Sequence, residues 1–227
     1  MSLWDRISST PFTYLITPGI LSAENFDALS GELLANIAYA SEAGVTAVQI
    51  REKRLPSRLL FELTSRAMAM LRGSDTLCLV NERFDIALAA GVDGVHLTSN
   101  SIPVSVVRRA VPNDFIIGVS THTLSEVAQA REASADLAVF GPVFETAGKP
   151  APENGDRLAE LRRASELSGS MLLLGLGGID ETNFRTVIGR GADGIAGISV
   201  FADRRAAESV LGFVCEGKRD AETSSEQ

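Results

Sequence analysis

Two cysteines in 227 residues leave no disulfide framework to read. Cys78 sits in the apolar run Leu77-Cys78-Leu79-Val80, and both it and Cys215 are expected to be reduced thiols of a cytoplasmic protein. No apolar run reaches the roughly 20 residues of a membrane-spanning helix. The first residues, Met1-Ser2-Leu3-Trp4-Asp5-Arg6, lack the apolar core of a secretory signal. Positive charge is in deficit: 21 Lys and Arg face 29 Asp and Glu, a formal net charge of −8. Neither nucleic acid nor a membrane surface is therefore an expected partner. A dinucleotide fingerprint is missing too, because Thr17-Pro18-Gly19 follows the first strand candidate. What is present in quantity is apolar sequence, 45% of the chain, which supports a sizeable core.

That apolar sequence is distributed in short runs separated by amphipathic stretches. Strands are expected at Phe12–Thr17, Ala47–Glu52, Thr76–Asn81, Gly94–Thr98, Ile116–Thr121, Leu137–Pro142, Met171–Gly177 and Gly194–Ser199. Helices are expected at Phe26–Ala43, Pro56–Leu71, Phe84–Ala90, Val104–Ala110, Leu124–Ala133, Leu158–Leu167, Glu181–Arg190 and Arg204–Val214. Thr123 and Glu126 have the spacing of a capping box, and Asp180 is an expected N-cap before Glu181. Gly44, Gly73 and Gly191 stand where helices should end. Eight strand-then-helix units predict an α/β fold of the (β/α)8 TIM-barrel type, which explains them better than an open doubly wound sheet. One domain over 1–217 and a polar, frayed tail over 218–227 are expected. Functional groups should then lie at the C-terminal strand ends and in the loops beyond them.

Gln49-Ile50-Arg51-Glu52-Lys53, at the end of the second strand, carries the most chemistry. Strand side chains alternate, so Gln49, Arg51 and Lys53 share a face. Two cations and an amide at a strand end suit a bound diphosphate, whereas unpaired buried charge would be costly. After strand three, Asn81 and Glu82 reach the top of the barrel, where Glu82 could hold Mg²⁺. Asp85 lies inside the next helix and is expected to serve only the helix start. His96 falls within strand four and is expected to be a hydrogen-bonded core histidine. After strand five come Ser120 and His122, the latter the best general acid/base candidate by position. After strand six, Thr146 and Lys149 lie in the longest break between units, with Lys149 a cation able to close over a phosphate. After strands seven and eight, Gly177-Gly178 and Ile198-Ser199 could receive a second phosphate on backbone amides.

Together these residues resemble the thiamine phosphate synthase/TenI family, over about Tyr14 to Phe201. The family's Gln-x-Arg-x-Lys motif stands as Gln49, Arg51 and Lys53, and its asparagine after strand three as Asn81. Its Ser-x-His-Thr element is Ser120, His122 and Thr123, and its Gly-Pro-x-aromatic run is Gly141 to Phe144, with Thr146 and Lys149 nearby. Its thiazole phosphate loops match Gly177-Gly178 and Ile198-Ser199. The resemblance implies an enzyme, a transferase joining hydroxymethylpyrimidine diphosphate to thiazole phosphate with release of diphosphate. Arg51, Lys53 and Lys149 with Mg²⁺ would stabilise the leaving group, and Gln49 and Asn81 would orient it. Two departures stand out: the aspartate usual after the asparagine is Glu82, and a second metal aspartate is replaced by Ser101. These favour an alternative within the family, a metal-free thiazole tautomerase with His122 as proton shuttle. A non-catalytic regulator binding a thiamine precursor is a third reading, and a sugar-phosphate aldolase or isomerase a fourth. Small phosphorylated pyrimidine and thiazole substrates are the implied partners, and a homo-oligomer is compatible with the sequence.

Overall fold

The computed structural model describes residues 11–146, 156–202 and 204–213. Eight parallel strands close into a barrel in chain order. They are β1 (Phe12–Ile16), β2 (Ala47–Ile50), β3 (Leu77–Asn81), β4 (Gly94–Leu97), β5 (Ile116–Thr121), β6 (Leu137–Phe140), β7 (Leu172–Leu176) and β8 (Gly194–Gly197). The helices are α1 (Phe26–Glu42), α2 (Ser57–Leu71), α3 (Phe84–Ala90), α4 (Val104–Arg108), α5 (Leu124–Glu132), α6 (Arg157–Ser168), α7 (Phe184–Gly189) and the short α8 (Ser199–Ala202). Residues 204–213 are helical as well. The expected (β/α)8 architecture is therefore the observed one. No helix among the described residues is long and apolar enough to cross a membrane.

Each strand is buried on both faces, which is why the strands read as continuous apolar runs rather than alternations. One face looks inward: Phe12, Tyr14 and Ile16 of β1, Ala47 of β2, Leu79 of β3 and Leu174 of β7 fill the barrel interior. The other face, with Leu15, Val48, Ile50 and Val80, packs under the helices. This parity puts Gln49 inside, two residues beyond Ala47.

The floor of the barrel is fastened by a device that recurs on every second strand. The residue before each even-numbered strand accepts the N–H of the second residue of the strand preceding it. Thr46 Oγ1 takes Thr13 N (3.2 Å) and Asp93 Oδ2 takes Cys78 N (2.8 Å). Asp136 Oδ2 takes Ile117 N (2.7 Å) and Asp193 Oδ2 takes Leu173 N (2.7 Å). The closed barrel satisfies the rest of the ladder, and these side chains satisfy the amides at its lower rim. The upper rim is left free for chemistry.

Most boundaries differ from expectation by one to three residues, and three of the differences bear on the site. β2 ends at Ile50, so Arg51 and Lys53 stand beyond the last paired residue. Ser199 does not close β8 but opens α8. The helix expected from Glu181 begins at Phe184. Asp180 instead caps the turn leading into it, its Oδ1 accepting from Thr182 N (2.8 Å) and Asn183 N (3.2 Å). The Thr123/Glu126 capping box at α5 is present. The expected tail, 218–227, lies outside the described residues.

Asp93→Ala should destabilise the fold by about 1–3 kcal/mol, because the Cys78 N–H is left buried without an acceptor. Asp93→Asn keeps an acceptor and should recover most of that loss in a urea denaturation series. Equal losses in the two variants would remove the latch from the account.

Candidate active site

A cavity of about 510 Å³ opens at the C-terminal end of the barrel, within the range of small-molecule sites. Gln49, Arg51, Lys53, Asn81, Ser120, His122, Thr146, Gly177, Gly178, Ile198 and Ser199, singled out from the sequence, all line it. Lys149 lies outside the described residues. Glu82 is not part of the lining but stands directly behind Asn81.

The cationic side is set by strand parity and by a carboxylate facing the other way. Glu52 is buried between Arg51 and Lys53, accepting from Gly19 N (3.0 Å) and Leu21 N (2.8 Å). It thereby ties the β1–α1 loop to the end of β2. Thr17 closes the same corner, its N–H donating to Gln49 O (3.0 Å) and its Oγ1 accepting from Arg51 N (2.8 Å). Arg51 and Lys53 thus stand at the cavity mouth on backbone tied to the end of β1 and the loop after it. Neither Glu52 nor Thr17 was anticipated; the Glu between two cations was the available signal.

The floor is polar and buried. Gln49 is 2% exposed; its Nε2 donates to Asn81 Oδ1 (2.9 Å), and Asn81 Nδ2 donates to Glu82 Oε2 (2.9 Å). Gln49 Oε1 is the one buried side-chain polar atom without a partner among the described residues. His96, expected as a core histidine, is buried and hydrogen-bonded, yet it also lines the cavity. Burial, with the Arg51 charge adding to it, lowers its pKa to about 3, so the ring is neutral. Its Nε2 meets Ser120 Oγ (3.0 Å) and its Nδ1 the hydroxyl of Tyr14 (3.4 Å). Only Tyr14 donating to Nδ1 uses the buried phenol hydrogen. Nε2–H then donates to Ser120, and the serine hydrogen is free for the cavity. The Tyr14–His96 pair was missed because each residue alone reads as core.

His122 differs from His96 in being exposed. Its Nδ1 lies 2.6 Å from Gly141 O, and a carbonyl can only accept, so Nδ1 carries the hydrogen and Nε2 is left open. Arg157 at the start of α6 braces this corner, donating to Pro142 O (2.9 Å) and His122 O (3.2 Å) while stacking over the Phe140 ring at 4.5 Å. Opposite, Gly177 and Gly178 take left-handed backbone with φ of 100° and 62°. A Cβ on Gly178 would lie 2.4 Å from Glu145 O, so the β7 loop can approach the β6 loop only as glycine. Among the described residues no protein acceptor takes the amide N–H of Gly178 or of Ile198. Those two amides can receive an anion.

Glu82 was expected as a metal ligand. Its Oε1 accepts from Thr98 Oγ1 (2.9 Å) and Ser101 Oγ (3.1 Å), and its Oε2 lies 3.9 Å from Lys53 Nζ besides the Asn81 bond. Burial opposes the charge, but the Thr98 and Ser101 hydroxyls, Lys53 and Asn81 outweigh it and hold the carboxyl below its ordinary value. Ser101 therefore occupies the carboxylate where a second acid was expected. Among the described residues there is no group of three His, Cys, Asp or Glu able to hold a metal. A single carboxylate whose Oε1 already accepts two hydroxyls and whose Oε2 accepts an amide does not fit a Mg²⁺ ion held by protein ligands alone.

The fold and this cavity define a (β/α)8 barrel with a polar, cation-edged cavity at the C-terminal end of its strands. A family model described as thiamine monophosphate synthase matches residues 13–201, and the chain belongs to that family. It is 39% identical over 166 residues to a thiamine-phosphate synthase of Methanoculleus marisnigri, covering 73% of this chain and 77% of that one. It is 39% identical over 198 residues to that of Chlorobium phaeovibrioides, covering 83% and 93%. The structure of a thiamine phosphate pyrophosphorylase from Pyrococcus furiosus superposes with a TM-score of 0.76 at 32% identity, covering 92% of this chain and 98% of that one. The expected class, a transferase of thiamine biosynthesis, is the class of this family.

Ser101→Asp should set a second carboxylate beside Glu82 that only a cation can reconcile. Millimolar Mg²⁺ should then raise the melting temperature of the variant by on the order of a few °C and leave the native chain unmoved. Equal stabilisation of both proteins would mean that the native site already holds the ion.

Proposed function

We propose that the chain joins a hydroxymethylpyrimidine diphosphate to a thiazole phosphate, releasing diphosphate. The observation that supports this best is the unpartnered Gln49 Oε1 on the floor of a cavity whose mouth carries Arg51 and Lys53. A buried lone acceptor calls for an N–H on the ligand. The hydroxyl hydrogen of Ser120 calls for a ring lone pair. An aminopyrimidine presents both, with its hydroxymethyl diphosphate directed up toward the cations. The family resemblance implies that Gln49 and Asn81 orient the diphosphate; their depth supports assigning Gln49 to the ring instead.

In this reading the bond from the methylene carbon to the diphosphate oxygen breaks with its electron pair leaving on oxygen. Arg51 and Lys53 meet the charge as it grows, which is where fixed cations lower a barrier. Lys149 is proposed for the same duty. The methylene cation is stabilised by the electron-rich ring that Gln49 and Ser120 hold in place. The thiazole nitrogen then gives its lone pair to that carbon. The Gly178 and Ile198 amides, with Ser199, hold the thiazole phosphate on the opposite wall, and Thr146 stands near the join. Holding both partners in one cavity turns a bimolecular encounter into a positioned one.

One observation favours the tautomerase reading: His122 has its Nδ1–H committed to Gly141 and Nε2 open to exchange a proton. The two activities separate by mutation. Mixing the protein with both substrates should release diphosphate and form thiamine phosphate in equal amounts. Arg51→Ala should lower that kcat by about 10²–10³, and His122→Ala should leave it within about tenfold of native. A folded protein that releases no diphosphate but loses thiazole tautomerisation in His122→Ala would replace the synthase with the tautomerase.

A further inference from the structure

Glu82 stands one layer behind the cavity, and the hydrogen bonds running from it to the floor have a single permitted direction. A carboxylate accepts and does not donate. Asn81 must therefore turn its nitrogen to Glu82 Oε2, which leaves Oδ1 facing Gln49. Gln49 must in turn supply Nε2, and its Oε1 is left over as an acceptor. Asn and Gln amides are nearly isosteric with their flipped forms, so neither residue can choose this orientation for itself. The anionic end of the relay chooses it. We propose that Glu82 is a positioning residue that sets the polarity of the Glu82–Asn81–Gln49 relay, and so selects ligands presenting an N–H rather than a lone pair to Gln49. The inference rests on the reading of this cavity as a pyrimidine site and adds to it the residue that enforces the choice of ring substituent.

The surroundings of Glu82 fit that duty. Its backbone is left-handed, φ 63°, an arrangement unfavourable for a non-glycine residue that persists only where neighbours impose it. Here its N–H donates to His96 O (2.9 Å) and its carbonyl accepts from Phe84 N (3.2 Å). Thr98 and Ser101 both donate to Oε1, which turns Oε2 toward Asn81. Ser101 thus belongs to the relay's anchor, and its presence in place of an acid is explained without a metal.

Glutamine at this position changes the logic. Its oxygen keeps the Thr98 and Ser101 hydroxyls, and its nitrogen faces Asn81. Two amide nitrogens cannot face each other, so Asn81 turns over, Gln49 follows, and Gln49 then offers Nε2 to the ligand.

Calorimetry tests this with unphosphorylated 4-amino-5-hydroxymethylpyrimidine and its 4-oxo counterpart, both in excess chelator so that no metal contributes. The native protein should prefer the amino compound. Glu82→Gln should reduce that preference by about tenfold or more, and Glu82→Asp, which keeps the carboxylate, should preserve its direction. Combining Gln49→Glu with Glu82→Gln reverses both ends of the relay, leaves an acceptor at position 49, and should restore preference for the amino compound. A folded Glu82→Gln that keeps the native preference overturns the inference, as does a double variant that behaves like Glu82→Gln. If the native protein binds neither pyrimidine, the reading of the cavity fails and the inference falls with it.

Discussion

Strand parity in a closed barrel is the constraint on which the site depends. Every strand has one face in the interior and one beneath the helices, so a shift of one residue would exchange the two. In β2 this places Val48 and Ile50 under helices and Ala47 and Gln49 inside. Beyond the last paired residue the same alternation continues into Arg51, Glu52 and Lys53. The barrel interior could not take Arg51 or Lys53 as charges, but at the mouth their heads reach solvent and ligand. Glu52, on the opposite parity, is buried, and its charge is met by two backbone N–H groups rather than by either neighbour. A cation pair facing one way and a carboxylate facing the other keeps the local charge separated. Had Glu52 turned inward it would have neutralised the two cations at the cavity mouth.

The same separation governs the other acid of the site. Glu82 could have been a counter-ion for Lys53, but at 3.9 Å, with Lys53 half exposed, that pairing contributes little. Its nearer partners are neutral donors: two hydroxyls and an amide. A carboxylate held by neutral donors keeps its charge without consuming the cations, so Lys53 remains available to an incoming anion. This is also why the loss of a second acid at Ser101 does not leave a defect. The serine hydroxyl completes the coordination of Glu82, whereas a second carboxylate there would require a cation between them.

The architecture was legible in the sequence because a parallel barrel buries whole strands, and eight apolar runs of four to six residues between amphipathic segments have few other solutions. The strand ends were overrun by one or two residues, since apolar or polar character does not mark where pairing stops. Ser199 shows the reason: the chain leaves β8 at Gly197 and winds into α8 without any change in side-chain type that a pattern could register. The site was legible where chemistry demands an unusual residue at a strand end, as with the cations after β2 or the paired glycines after β7. It was not legible where ordinary residues acquire a role through contact. Tyr14, His96 and Ser120 come from β1, β4 and β5, and nothing in their spacing along the chain announces that they form one line. Arg157 reads as a helix-start arginine until the carbonyls of His122 and Pro142 are found at its guanidinium.

The two lines of hydrogen bonds at the floor have a common logic that bears on how such a cavity distinguishes ligands. Each begins at a group that can act in only one sense and ends at a group that can act in either. Glu82 can only accept, and the buried Tyr14 phenol has a hydrogen it must place. Asn81 and His96, in the middle, transmit the sense. Gln49 and Ser120, at the cavity, would otherwise be ambivalent, able to greet a donor or an acceptor with equal ease. Fixing them from behind makes the floor read one pattern of donor and acceptor, and the energetic penalty falls on any ligand that opposes it, because its polar group and the protein's would both be buried without a partner. In the proposed reaction the diphosphate is met at the mouth, whatever group carries it. Selectivity for the ring then falls, on that proposal, to the floor, which can supply it only while its polarity is held by groups the ligand does not touch.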